Sequence, residues 1–110
     1  MNMTDYQALA ARTINPEQPD KEKLINFAFG LAGETGETID LLKKIIFHGH
    51  DLETNRDKLA IELGDCLWYI AGIATAAGIT LDDIATRNVE KLRRRYPDGF
   101  DPEKSRNREG

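Results

Sequence analysis

A chain of 110 residues is long enough for one domain and too short for two. Its composition, 40% hydrophobic and 31% charged, is that of a globular protein and excludes a disordered or fibrous one. A net charge of −4 gives no general attraction to nucleic acid or to an anionic membrane surface, so neither is expected as a partner.

The chain opens with a helical pattern over residues 4–14. Thr4 is the expected N-cap, and Gln7 three residues on completes a capping-box pattern. That segment has neither the basic start nor the apolar stretch of a secretory leader. "NPEQPD", with two prolines, breaks the pattern. A long helix is then predicted from Asp20 to about His48, with Leu24, Phe27, Ala28, Leu31, Leu41, Leu42, Ile45 and Ile46 inward. It ends at "HGHD", where Gly49 suits a left-handed cap.

A third helix is expected from about Asn55 to Ala77, closed by Gly78, with Leu59, Leu63, Cys66, Leu67, Ile70, Ala74 and Ala77 inward. Cys66 is the single cysteine, so no internal disulfide forms, and it reads as a small core residue in a reducing compartment. Thr80 caps a fourth helix, "LDDIATRNVEKLRRRY", with Asp83 completing a second capping box, and Pro97 stops it. Residues 101–110 read as a polar tail after a single domain over 1–100. No stretch approaches the roughly 18 apolar residues of a membrane span, so a soluble cytoplasmic protein is expected. The fold class is all-α: an antiparallel bundle of about four helices. A chain this short buries only a modest core, which pairing with a copy of itself would complete.

Two carboxylate pairs carry the chemistry. Glu34 and Glu37 lie three apart in "GLAGETGETIDLLKK", and Glu62 and Asp65 three apart in "AIELGDCLWY". At ~100° per residue, Glu34 and Glu62 each fall roughly 80° from the middle of their apolar stripe, and Glu37 and Asp65 roughly 140°. Antiparallel packing of the second and third helices therefore lets all four converge. Packed together they repel, and a divalent cation relieves that. Oxygen-only ligands favour Mg²⁺, with Mn²⁺ as a substitute, over zinc. A di-iron bundle needs Glu-x-x-His on two helices, and neither pair has that histidine. His48 and His50 fall in the loop. Gly33, Gly36 and Gly64, beside the acids, would let a helix, a metal or a phosphate approach closely. The plainer alternative for each acid pair is a solvated helix face.

On the fourth helix Asn88, Lys91 and Arg95 share a face at i, i+3 and i+7, the pattern a polyphosphate needs beside a metal. Basic residues at a helix C-terminus also complement its dipole, the preferred reading for Arg93 and Arg94. Trp68 and Tyr69, about a turn past the second acid pair, either stack on a base or pack in the core. Phe29 and Phe47 are open to the same two readings.

Three segments, "GLAGETGETIDLLKK", "KLAIELGDCLWYIAGIA" and "NVEKLRRRYPDGF", together resemble the MazG-like nucleoside triphosphate pyrophosphohydrolases of the all-α NTP pyrophosphatase superfamily, in their small single-domain form. The family pattern is EExxE, a gap, then ExxD. Here the acids fall on Glu34 and Glu37, then Glu62 and Asp65, and Gly33 stands where the family has its leading acid. The resemblance implies that Glu34, Glu37, Glu62 and Asp65 bind Mg²⁺ and that Asn88, Lys91 and Arg95 face the phosphates. It implies cleavage of a (d)NTP between the α- and β-phosphates to (d)NMP and pyrophosphate, with Glu37, Lys91 and Arg95 as catalytic groups and a homodimer or homotetramer as the assembly. A phosphoribosyl-ATP pyrophosphohydrolase and a non-catalytic helical oligomer with a structural cation remain as alternatives.

Overall fold

The computed structural model describes residues 1–107. Every regular element in that span is a helix: α1 (Met3–Ala11), α2 (Asp20–Phe47), α3 (Leu52–Ala77), α4 (Leu81–Arg95) and a short α5 (Pro102–Arg106). Helices α2 and α3 form the principal pair. The four residues between them fold back through Gly49 at φ +73°, and the His50 N–H returns to the Lys44 carbonyl at 3.2 Å. Asp51 then caps α3 by accepting from the Glu53 N–H at 3.2 Å, so this helix begins at Leu52, ahead of the expected Asn55.

The α2–α3 seam follows an alternating three- and four-residue spacing, the mark of antiparallel helices packed along their length. Phe27 and Thr38 are buried in it, and Leu31, Glu34, Leu41 and Ile45 are half-buried; α3 answers with Leu59, Glu62, Cys66, Tyr69 and Ile73. Two glycines serve this seam. A Cβ on Gly30 would fall on the Tyr69 ring, and a Cβ on Gly72 would sit 2.7 Å from the Phe27 ring. Phe27, Trp68 and Tyr69 meet edge to face, with centroids 5.0–6.0 Å apart. The expected close approach at Gly33, Gly36 and Gly64 is not made within the chain, where a Cβ would meet nothing within 4 Å.

Helix α1 lies on the outer face of α3. Its N-cap is Asn2, which accepts from the Asp5 N–H at 2.8 Å, and it ends at Ala11 rather than at residue 14. Thr4 and Gln7, expected to form a capping box, act at long range instead. The Thr4 hydroxyl donates to Asp82 at 2.9 Å. The Gln7 amide donates to the Ile79 carbonyl at 2.9 Å and the Thr75 hydroxyl at 3.2 Å, and its oxygen accepts from the Leu81 N–H at 2.7 Å. Gln7 thus holds both sides of the α3–α4 turn. Beneath it lies the small core of Ala10, Ala71, Ala74 and Leu81, with Tyr6 and Trp68 against it, and the Trp68 indole N–H donates to the Thr13 hydroxyl at 2.7 Å.

Helix α4 departs from the expected bundle. Its packing within the chain is on α1, with none comparable on α2 or α3. The radius of gyration, 16.9 Å, exceeds the ~13 Å of a compact chain of this length. Thr80 caps α4 as expected by accepting from the Asp83 N–H at 3.0 Å, but the Asp83 carboxylate pairs with Arg87 at 2.8 Å rather than closing the box. In the expected polar tail, Asp101 caps the short α5 by accepting from the Glu103 N–H at 3.0 Å, and Pro102 opens it; residues 108–110 lie outside the described residues.

Much apolar surface stays uncovered, including Phe29 and Phe47, each about three-quarters exposed. Ala28, Ile46, Leu63, Ile70 and Ala77, all expected inward, are exposed. The reason is that α2 and α3 are apolar on more than one face, and each neighbouring helix covers a single face. By length and composition α3 alone among the described helices could cross a membrane, with a best 18-residue window of mean hydropathy 1.3, a test that the core helix of a soluble protein also passes. It nevertheless packs against both α1 and α2 and carries Glu62 and Asp65.

Gly72→Ala is expected to lower stability by about 1–3 kcal/mol, because the buried Phe27 ring has nowhere to retreat. A urea midpoint that does not fall would refute the packing described here.

Candidate metal centre

The inner acid of each pair lies on the α2–α3 seam and the outer acid lies beside it. Glu34 and Glu62 are half-buried, whereas Glu37 and Asp65 are exposed, the order their angular positions predict. Local bonds fix the backbone around them. The Thr38 hydroxyl donates to the Glu34 carbonyl at 2.9 Å and lies 3.7 Å from the Cys66 sulfur across the seam. Glu34, Glu62 and Asp65 then converge, each offering a carboxylate oxygen within 4.8 Å of the others.

Glu37, the fourth expected ligand, is outside this triad. It lines an adjoining groove of about 660 Å³ together with Gly33, Gly36, Asp40, Lys58 and Glu62. The lysines of this groove, Lys44 and Lys58, were not singled out from sequence. Helical spacing was the available signal: Lys58 is one turn before Glu62, and Lys44 two turns after Glu37. Lys44 pairs with Asp40 at 3.0 Å and holds that carboxyl below the ordinary range.

The centre is strongly acidic. Glu34 Oε2 and Glu62 Oε2 are both shielded from solvent, and neither has a donor. A carboxylate pair of this kind is satisfied by sharing a proton or by binding a cation. The Glu34 carboxyl is raised to about 7, first by partial burial, then by the charge of Glu37, by the hydrogen bond it makes to Glu62 once protonated, and by the charges of Asp65 and Glu62. The donor set is oxygen only and carries several negative charges. It fits a hard divalent ion such as Mg²⁺ and lacks the nitrogen or sulfur that zinc prefers.

The remaining expected residues lie elsewhere. Asn88 and Lys91 are exposed and Arg95 is half-buried, all on α4, which does not lie along the acid-bearing helices of its own chain. Trp68 and Tyr69 are half-buried in the aromatic packing above. Phe29, Phe47, His48 and His50 are exposed.

Comparison with known proteins gives the family. The MazG nucleotide pyrophosphohydrolase domain matches residues 23–100. The Gene 37 protein of Mycobacterium phage L5 is 35% identical over 105 residues, which cover 90% of this chain and 92% of that protein. No solved structure matches the chain.

The raised Glu34 carboxyl gives the metal-free protein a defined pH response. Its folded value of about 7 exceeds the ordinary 4.5, so the folded state holds more protons than the unfolded state between those values. The stabilisation is complete below about pH 4.5 and is lost as pH rises through about 7. The melting temperature in EDTA should therefore fall with rising pH across this window. Saturating Mg²⁺ should flatten the fall, and so should Glu34→Gln. Identical pH profiles for wild type and Glu34→Gln would disprove the assignment.

Proposed function

The chain belongs to the MazG nucleotide pyrophosphohydrolase family, and from that premise we propose that it is a Mg²⁺-dependent enzyme cleaving a nucleoside triphosphate between its α- and β-phosphates. The observation that carries this reading is the triad of Glu34, Glu62 and Asp65 meeting across the α2–α3 seam, with two shielded oxygens that lack a donor. These three carboxylates would hold the ion, with Glu37 at the edge of the same centre. When bound, Mg²⁺ supplies charge neutralisation at the phosphate oxygens and a lowered pKa for water.

The chain's own groups do the rest. Glu37, exposed beside the triad, accepts the proton of the attacking water. Water adds to the α-phosphorus and the bond to the bridging oxygen breaks, releasing a nucleoside monophosphate and pyrophosphate. Lys91 and Arg95 neutralise charge gathering on the departing pyrophosphate, and Asn88 hydrogen-bonds a phosphate oxygen. The groove beside Glu37 leaves space for a substrate at the acids. Self-association, as a dimer or tetramer, belongs to the same reading. It is supported by the exposed apolar residues of α2 and by the small core of the single chain. A soluble, cytoplasmic location goes with it.

The test is pyrophosphate release from the common ribo- and deoxyribonucleoside triphosphates, with Mg²⁺ and with excess EDTA. Release should require the metal. Glu62→Gln and Asp65→Asn should each lose at least about a hundredfold in rate while keeping the helical circular dichroism signal. Undiminished activity in either variant would remove the metal centre from the mechanism. Stabilisation by Mg²⁺ without release from any substrate would favour a structural cation in a non-catalytic oligomer.

A further inference from the structure

The direction of α4 hangs on a short turn. Only Gly78, Ile79 and Thr80 separate it from α3, and Gly78 stands at φ +74°, a conformation open to glycine and strained for other residues. The apolar face of α4 is buried only at Leu81, and further along Ile84, Val89 and Leu92 are 37–44% exposed. The groups that the proposed reaction takes from this helix, Asn88, Lys91 and Arg95, lie in its middle and at its far end. A three-residue turn containing a glycine is a hinge unless something fixes it.

Gln7 spans that hinge. Its amide donates to the Ile79 carbonyl at 2.9 Å, and its oxygen accepts from the Leu81 N–H at 2.7 Å. One planar group therefore grips the two peptide units that flank Thr80. The amide also donates to the Thr75 hydroxyl at 3.2 Å, which ties the same group to the last turn of α3. Thr80 is held at φ −88° and ψ 150°, the two angles that set the axis of α4. A carboxamide suits this task because it offers donors and an acceptor in one plane. The Thr80 hydroxyl cannot share it, since it already caps α4 at the Asp83 N–H. The other tie from α1 joins Thr4 to Asp82, two exposed side chains that can turn without moving the backbone.

We propose that Gln7 is a positioning residue for the reaction: by clamping both sides of Thr80 it aims α4, and so decides where Asn88, Lys91 and Arg95 arrive. The role of those three groups rests on the pyrophosphohydrolase reading, and the clamp itself does not. The lever is long. Arg95 lies roughly 21 Å from Leu81 along the helix, so a change of about 10° at Thr80 carries it by ~4 Å, enough to lose a hydrogen bond to a phosphate. Displacements of ~1 Å already cost enzymes large factors in rate.

Gln7→Met removes the clamp while keeping side-chain length and helix propensity. The variant should keep the helical circular dichroism signal and the rise in melting temperature that Mg²⁺ gives the wild type. Its kcat for pyrophosphate release, measured well below the melt, should fall by at least about tenfold. A purely structural role would lower the melting temperature and leave kcat of the folded protein alone, so a kcat within about twofold of wild type overturns the proposal. A double-mutant cycle on the affinity for pyrophosphate with Mg²⁺ separates the routes. Gln7→Met should weaken binding by about fivefold or more in the wild-type chain, and by less than about twofold in Lys91→Ala/Arg95→Ala. Equal weakening in both backgrounds also overturns it. Should Gln7→Met not fold, Gln7→Glu takes its place in every arm; it keeps an acceptor for Leu81 but has no proton for the Ile79 carbonyl.

A last measurement is independent of activity. Spin labels on Lys21→Cys of α2 and Arg94→Cys of α4, both exposed positions, in a Cys66→Ser chain diluted with unlabelled protein, report the direction of α4 as a distance. That distance should be narrowly distributed with Gln7 and shift or broaden with Gln7→Met. Superimposable distributions would show that Gln7 does not aim the helix. A wild type that releases no pyrophosphate defeats the reaction assignment instead, and the spin-label distances then decide the clamp by themselves.

Discussion

Near the middle of the longest helix–helix contact in the chain, Glu34 of α2 faces Glu62 of α3, each with an oxygen hidden from water and offered no donor. An apolar pair at these positions would pack with no such penalty. The carboxylates instead oppose the association of the two helices that hold them, and the rest of the seam must outweigh that opposition. On one side of the acids it does so by aromatic packing: Phe27 against Gly72, Tyr69 over Gly30, and Trp68 edge-on to both rings. On the other side, Leu41 and Ile45 of α2 and Leu59 of α3 continue the apolar contact. The acids are thus held together by apolar contacts on both sides, and a proton or a cation relieves the remaining strain between them.

This constraint gives α1 its importance. A two-helix pair with charge in its seam presents little core of its own, and α1 adds the third layer through Ala10, Tyr6 and the Trp68–Thr13 hydrogen bond. The same short helix sets where α4 begins, because the Gln7 side chain satisfies the first amide of α4 and the Ile79 carbonyl in the turn before it. One side chain thereby links the packing of the acid-bearing helix to the direction taken by the cationic one.

What the sequence made legible was what depends on neighbours along one helix. The four long helices, the left-handed cap at Gly49, the helix end at Gly78 and the inner and outer ranks of the two acid pairs all follow from local spacing and turn chemistry. Illegible from sequence was whatever depends on which element stands opposite. The glycines expected to allow close approach were Gly33, Gly36 and Gly64, whereas those under an aromatic ring are Gly30 and Gly72. Spacing places a glycine on a face but does not name the ring across from it. Gln7 matched a capping box in sequence because the pattern carries no information about a turn more than seventy residues away. Periodicity identified the apolar face of α4 but did not show that only its first turn is covered within the chain.

The aromatic group beside the acids has a further consequence. Trp68 is the only tryptophan in the protein, and it stands where α1, α2 and α3 meet, three residues past Asp65. Its indole N–H is bonded to Thr13 just past the end of α1, and its ring lies against Phe27 of α2. The intrinsic emission of the chain therefore comes from one known position rather than from an average over several. Detachment of α1 would release the indole N–H to water and shift that emission to the red. Separation of α2 from α3 would remove the Phe27 ring from the fluorophore's surroundings. The protein thus carries its own optical label for the integrity of the junction that supports the acidic centre.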